Sequence, residues 1–370
     1  MKIQFAKDTL QKAINALAKV SQNKTSSNLP GAIYITTKNG KVEMQANDYE
    51  IGIRITIDAN IIEEGTIVLS TRYFQEWVRK TPTDTITLES NAETKQLLLS
   101  SESSQFNLIT MDPDDFNLVE QIHDENHIDV DGEQFKQMID LTNYAAANDD
   151  DRPIFTGALL EGESTNLTLV ATDTHRMAVK KINLDAPMPA AMRILIPTKT
   201  LAEVSRLLPT DQPTVVRIIW NRTNVVFLFD TIYLFSRLIE GQYPDYEKVI
   251  PSQFDSSAIL NSRDFAGAVD RVSLLAKDAS YNVIRYDWDE KEVTLSTQNA
   301  EIGMAKEEVL CEFKGTPFTI SFNGRYIGDI FASQQRRQNS FILKNRTVPL
   351  LFARMIIQNY TYVVTPVRTN

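Results

Sequence analysis

The feature that most constrains this chain is that it repeats itself. The segment FAKDTLQKAINAL (5–17) sets Leu10, Ile14 and Leu17 at the i, i+4, i+7 spacing of one helical face. VDGEQFKQMIDLT (130–142) puts Phe135 and Ile139 at the first two matching positions 125 residues later, and NSRDFAGAVDRV (261–272) puts Phe265, Val269 and Val272 a further 130 on. A second helix recurs behind a β-rich run, a Ser, Thr or Asn, and a basic residue. Its copies are LSTRYFQEWVRKTP (69–82), IPTKTLAEVSRLLP (196–209) and SFNGRYIGDIFAS (321–333), with Arg72, Lys199 and Arg325 spaced 127 and 126 apart. A third landmark reads strand, turn, strand: VEMQANDYEIGIRI (42–55), LTLVATDTHRMAV (167–179) and VTLSTQNAEIGMA (293–305). Its turn residues align as Asp48, Asp173 and Asn299, and the side chain two places on is Glu50, His175 or Glu301. Three landmark types in one order at nearly one spacing identify an internal triplication.

Between the landmarks, runs such as residues 85–111 alternate with period two, the signature of antiparallel sheet with one face in a core. The chain therefore reads as α+β: three repeated domains over 1–126, 127–252 and 253–370, each with two helices packed on antiparallel sheet. Length supports this, since 370 residues at roughly 150 per domain make two or three cores.

Charge is distributed unevenly. The whole chain nets −10, which by itself argues against a nucleic-acid binder. The six helical segments (7–24, 70–80, 132–141, 197–207, 261–278 and 323–337) nevertheless hold 16 basic and 9 acidic residues, a balance of +7 that leaves −17 elsewhere. Two readings remain open. Amphipathic helices carry charge on any wet face, or the helices face an acidic partner such as phosphate backbone.

Candidate chemistry is sparse. No phosphate-binding loop, dinucleotide fingerprint, zinc-protease helix, nucleophile elbow or C-x-x-C occurs. No cofactor and no metal site is expected. The lone Cys311 follows an alternating run, reads as a small buried hydrophobe, and suits a reducing cytoplasm. The N-terminus lacks an apolar leader core, and no run is long enough for a membrane span. Asp149–Asp151 read as a solvated loop rather than a metal site, and His123 and His127 as surface positions in a connection. Of the three hairpins only the middle one carries a His-Arg pair, His175 and Arg176. That pair is an addition to the architecture, open to a structural turn role, a docking role in which Arg176 offers a planar donor fork, or general-base chemistry with Asp173.

The motifs TDTHRMA (172–178), EGQYPDYEKVIP (240–251), ISFNGRYIGDIF (320–331) and YVVTPVRTN (362–370) together resemble the bacterial DNA polymerase III beta subunit, the sliding clamps. The likeness covers the whole chain in order. It implies a head-to-tail homodimeric ring of six similar domains, with helices lining a hole for double-stranded DNA, bound without regard to sequence, and with no catalysis of its own. DNA-facing candidates on that basis are Lys12, Lys19, Lys24, Arg72, Arg79, Lys199, Arg206, Arg271 and Arg325. The resemblance also implies a pocket for short partner peptides between the second and third domains, serving the replicative polymerase, clamp loader and repair proteins. Carried over position by position, it comprises Phe155, Thr172, Thr174, His175, Arg176, Met177, Pro244, Lys248, Val249, Val363, Thr365, Pro366, Val367 and Arg368.

The dimer contact implied by the resemblance would use Phe106 and Leu108 against Leu274 and Leu275, although apolar residues at those spacings suit an interior equally. Three positions depart from the family pattern. Thr174 stands for a small rim residue, Lys248 for an arginine, and Thr365 for a larger apolar side chain, and the acidic run 149–151 lies where phosphate is expected. The alternatives are a triplicated binding scaffold that forms no ring, and a hydrolase using His175 and Asp173.

Overall fold

The computed structural model describes residues 1–21, 31–91, 93–102, 104–123, 126–148, 151–250, 256–276, 282–332, 341–345, 351–355 and 359–367. Six α-helices occur among them: α1 (Lys7–Ser21), α2 (Thr71–Lys80), α3 (Gly132–Thr142), α4 (Thr198–Leu207), α5 (Ser262–Ala276) and α6 (Gly324–Ala332). All six fall where the repeats predict helices. The apolar positions that defined them are buried: Leu10, Ile14 and Leu17 in α1, Phe135 and Ile139 in α3, Phe265, Val269 and Val272 in α5. Side-chain bonds tie the helices of a pair together. Gln75 Nε2 of α2 donates to Asn15 Oδ1 of α1, and Lys136 Nζ of α3 donates to Ser205 Oγ of α4.

Every strand pairing among the described residues is antiparallel, in sheets of five, eight and twelve strands. The chain forms two compact units, Met1–Glu133 with Arg206–Leu238, and Gln134–Ser205 with Ile239–Asn370. The first holds the five-stranded sheet, which ends on Gln105–Ile109, and the eight-stranded sheet. In the latter, strand Ile51–Ile57 of the first repeat pairs with Ile232–Arg237 of the second, Ile55 opposite Ile232. The connection between these repeats is pinned onto that sheet. Val119 N donates to Gln45 Oε1 (2.9 Å), Ile122 N to the Tyr233 hydroxyl (3.0 Å), and both apolar side chains join a buried cluster with Ile219, Val226 and Phe235.

The second unit holds the twelve-stranded sheet. Strand Arg176–Asn183 of the middle repeat pairs with Tyr360–Val364 of the last, Arg176 opposite Val364. Backbone ladders thus cross from repeat to repeat, because the polar groups of a strand edge are satisfied most cheaply by the next strand. His127, read above as part of a connection, opens strand His127–Asp131 instead: its neighbours Ile128 and Val130 are buried, which draws the segment into the sheet.

Candidate functional site: the Asp173–Arg176 hairpin

The hairpin joining Asn166–Thr172 to Arg176–Asn183 turns on one carboxylate. Asp173 Oδ1 accepts from the backbone N–H of His175 and of Arg176, both at 2.9 Å. A short acceptor side chain opening a turn can satisfy the two amides that the turn leaves without ladder partners. The aligned residues do the same elsewhere: Asp48 Oδ1 accepts from Glu50 and Ile51, and Asn299 Oδ1 from Glu301 and Ile302. In the middle copy Thr172 adds a second brace, its hydroxyl donating to the Arg176 carbonyl (2.6 Å) and accepting from Thr174 N (3.1 Å). The turn forces Thr174 to φ 76°, the left-handed region that a β-branched residue enters only under strain. Glycine would enter that region without this cost.

His175 is exposed, but Arg176 is 4% exposed and turned inward. Its Nε donates to Asp173 Oδ2 (3.0 Å), Nη2 to the Tyr144 carbonyl (2.7 Å), and Nη1 to Asp329 Oδ2 on α6. The guanidinium lies 4.6 Å from the centre of the Tyr326 ring, against which the His175 ring also stacks. Burial opposes the charge; the Tyr362 hydroxyl and the Asp329 and Asp173 carboxylates outweigh it and raise the affinity of Arg176 for its proton. Three donors of the fork proposed for ligands are therefore held within the protein.

A cleft of about 320 Å³ opens beside this hairpin, with Ala146, Phe155, Thr174, His175, Arg176 and Tyr326 among its walls. Arg152 and Arg325 join Arg176 in bringing positive charge, and Asp151 and Asp173 bring negative. Below it Phe155, Met177 and Val363 pack with Tyr243 and Tyr246 in a buried cluster. Phe155 belongs to both the cleft lining and this cluster, whereas Met177 and Val363 are in the cluster alone.

The segment after Tyr243 is anchored by Tyr246, whose hydroxyl donates to Glu161 Oε1 (2.6 Å). Burial pushes the Tyr246 hydroxyl up, and its bond to the Glu161 carboxylate adds to the shift. This anchor leaves Pro244, Lys248 and Val249 exposed on and beside the 3-10 turn Tyr246–Val249, with Lys248 paired to Asp245 at 2.8 Å. The tail is fastened too: Thr365 donates from both N (2.8 Å) and Oγ1 (3.0 Å) to the His175 carbonyl, and Val367 N donates to Ser321 O. Pro366 lies half-buried between them, and Arg368, Asp149 and Asp150 lie outside the described residues. Sequence reasoning missed Tyr144, Tyr326 and Asp329. A buried arginine requires carboxylates, but nothing local names a partner 153 positions away.

The basic candidates on the helices stand at the surface: Lys12, Lys19, Arg72, Arg79, Lys199, Arg206, Arg271 and Arg325 are all exposed, and Lys24 lies outside the described residues. Several have acceptors of their own. Arg79 meets Glu76, Arg271 makes a two-pronged pair with Glu307, and Arg206 Nη2 reaches Ala16 O. Of the four apolar interface candidates, Phe106 (41% exposed) and Leu274 (67%) are too open to be core, while Leu108 and Leu275 are half-buried. Phe106 sits on Gln105–Ile109, which among the described residues pairs only with Gln96–Ser100. Strand Gly303–Lys314 is similarly one-sided among the described residues: 303–310 pair with Glu292–Asn299, and 311–314 with Ser257–Leu260. Met304 and Leu310 on that stretch are 72% and 78% exposed.

Among the described residues no group of three His, Cys, Asp or Glu side chains could hold a metal, and no helix is long and apolar enough to cross a membrane.

Comparison with known proteins matches the chain end to end. Models of the N-terminal, central and C-terminal domains of the DNA polymerase III beta subunit cover residues 1–120, 129–245 and 247–368. The beta sliding clamp of Staphylococcus aureus is 30% identical over 378 residues, covering 100% of both chains. The solved Bacillus subtilis sliding clamp is 28% identical with a TM-score of 0.93, and the Pseudomonas aeruginosa clamp solved bound to griselimycin is 25% identical with a TM-score of 0.92, each covering 100% of both chains. With three repeats of clamp architecture and a full-length match to these relatives, the chain belongs to the DNA polymerase III beta subunit family, the DNA sliding clamps.

Proposed function

We propose that two copies of this chain close head to tail into a ring around double-stranded DNA, and that the hairpin cleft docks peptides of the replicative polymerase, clamp loader and repair proteins. One observation carries the ring: two sheet edges unpaired among the described residues, Gln105–Ile109 and residues 303–310, each bearing exposed apolar side chains. Long uncovered edges template association and are normally blunted, so their retention argues for a partner. A heterologous contact between the two, repeated twice, closes a dimer. Phe106 and Leu108 would meet Leu274 and Leu275 there, within domains taken as 1–126, 127–252 and 253–370.

Topology then does the work of affinity. A closed ring needs only weak, salt-sensitive phosphate contacts from the exposed helix cations, and stronger ones would impede sliding. The cleft suits recognition: among the described residues its lining includes no serine or cysteine, and Phe155 and Tyr326 stand there among charged and polar side chains. We read the protein as a cytoplasmic processivity factor and not an enzyme. The non-ring scaffold leaves the two edges unexplained.

Retention on nicked circular DNA tests the ring, using a bacterial clamp loader and ATP. The protein stays on the circle and is shed when the circle is cut; a monomeric mass with no retention refutes the ring. Griselimycin, seen on the Pseudomonas aeruginosa relative, serves as a direct probe of docking.

A further inference from the structure

We propose that Asp329 is a positioning residue of the docking cleft: it fixes the hairpin through Arg176, and it couples the cleft to anion binding at Arg325 on the exposed side of α6. The inference deepens the docking reading and rests on it. The hydrogen-bond acceptors of Arg176 include two carboxylates and a carbonyl, from three parts of the chain. Asp173 belongs to the same turn, so its bond to Nε braces the hairpin only against itself. The Tyr144 carbonyl is neutral. Asp329 is the charged acceptor that comes from another element, and with Tyr326, one turn earlier on α6, it forms the wall against which the guanidinium is held.

The same carboxylate oxygen serves a second guanidinium. Arg325 Nε lies 3.9 Å from Asp329 Oδ2, one helical turn away. The two arginines differ in environment: the Arg176 side chain is 3% exposed and that of Arg325 is 63%. Water and salt screen the outer pair far more than the inner one, so Arg176 holds the carboxylate and Arg325 competes weakly. An anion on Arg325, such as a phosphate of the threaded duplex, removes that competition and tightens Asp329 on Arg176. Coupling of this kind is reciprocal: whatever phosphate does for the hairpin, an occupied cleft does for phosphate. Arg325 also lines the cleft directly, and the test must separate this contact from the route through Asp329.

The experiment titrates a fluorescent peptide from the C-terminus of a bacterial replicative polymerase into the full-length protein. The variants are Asp329→Asn, Arg325→Gln and the double substitution, each checked for dimer mass and thermal unfolding. Amide exchange of residues 173–177 and 364–367 is followed in parallel. Asp329→Asn is expected to weaken the peptide about tenfold and to speed exchange in both segments, on the scale of one charge-assisted hydrogen bond whose partners keep other contacts. Arg325→Gln is expected to tighten the peptide about twofold in the wild-type background and to have no effect once Asp329 is Asn. Binding by wild type with affinity and exchange unchanged in Asp329→Asn overturns the proposal and leaves docking intact. The same Arg325→Gln effect in both backgrounds overturns the charge link. No binding by wild type overturns docking itself, and the exchange data still decide whether Asp329 positions the hairpin.

Discussion

Leu274→Ala, on α5, is the sharpest test of the proposed dimer contact, because the structure sets its size. Burying a leucine completely contributes about 1.5–3 kcal/mol. Leu274 is 67% exposed in the single chain, so a partner can cover about two-thirds of that, roughly 1–2 kcal/mol per contact. A head-to-tail dimer contains the contact twice, which doubles the loss to about 2–4 kcal/mol and raises the dissociation constant by about 30- to 1,000-fold. Stability of the separate chain should barely change, since the side chain makes little core there. Sedimentation velocity or mass photometry across a dilution series reads the dissociation constant directly. An unchanged constant, or a fall in thermal stability without dissociation, would place Leu274 outside any interface and refute the reasoning. Phe106→Ala, on the edge strand Gln105–Ile109, should repeat the result, scaled to its 41% exposure.

Thr174→Gly should stabilise the protein by up to about 1 kcal/mol in denaturant titration, since relief of left-handed strain (about 1–2) exceeds the entropy cost of glycine (about 0.5–1). A loss of stability would mean that Thr174 makes compensating contacts. Buried Tyr243, Tyr286, Tyr360 and Tyr362 all have hydroxyls pushed up, chiefly by burial. A folded-state pKa above the unfolded value means that stability is fully present below the unfolded pKa of about 10 and is lost as pH rises beyond it. Denaturation midpoints should therefore be level from pH 7 to 9 and fall above 10, with phenolate absorbance lagging that of the unfolded chain; a flat profile to pH 12 would contradict this. Burial, with Glu292 and Asp289 nearby, pushes the Cys311 thiol up to about 11. Labelling by a disulfide reagent at pH 8 should consequently be slow in the native state and fast in denaturant, and fast native labelling would show that the thiol is open to water.

Triplication was legible because it is written in short-range patterns. The i, i+4, i+7 spacing of Leu10, Ile14 and Leu17 needs only the helical period, and the turns at Asp48, Asp173 and Asn299 need only the amides of the next three residues. The cleft was legible only in part. His175 and Phe155 are among its lining residues, but the guanidinium of Arg176 is turned inward onto carboxylates, and no local pattern could say so.

By itself, then, the sequence determined the repeat, the helices and their buried faces, the turn chemistry and the family. Tertiary structure alone decided which carboxylate meets Arg176, that Thr365 ties the tail to the His175 carbonyl, and which apolar side chains stay in water at an open edge. The division follows from distance along the chain. Periodicity and turn hydrogen bonds act within a few residues, whereas the partner of a buried charge or an unpaired strand edge is set by whichever segments the sheets bring together.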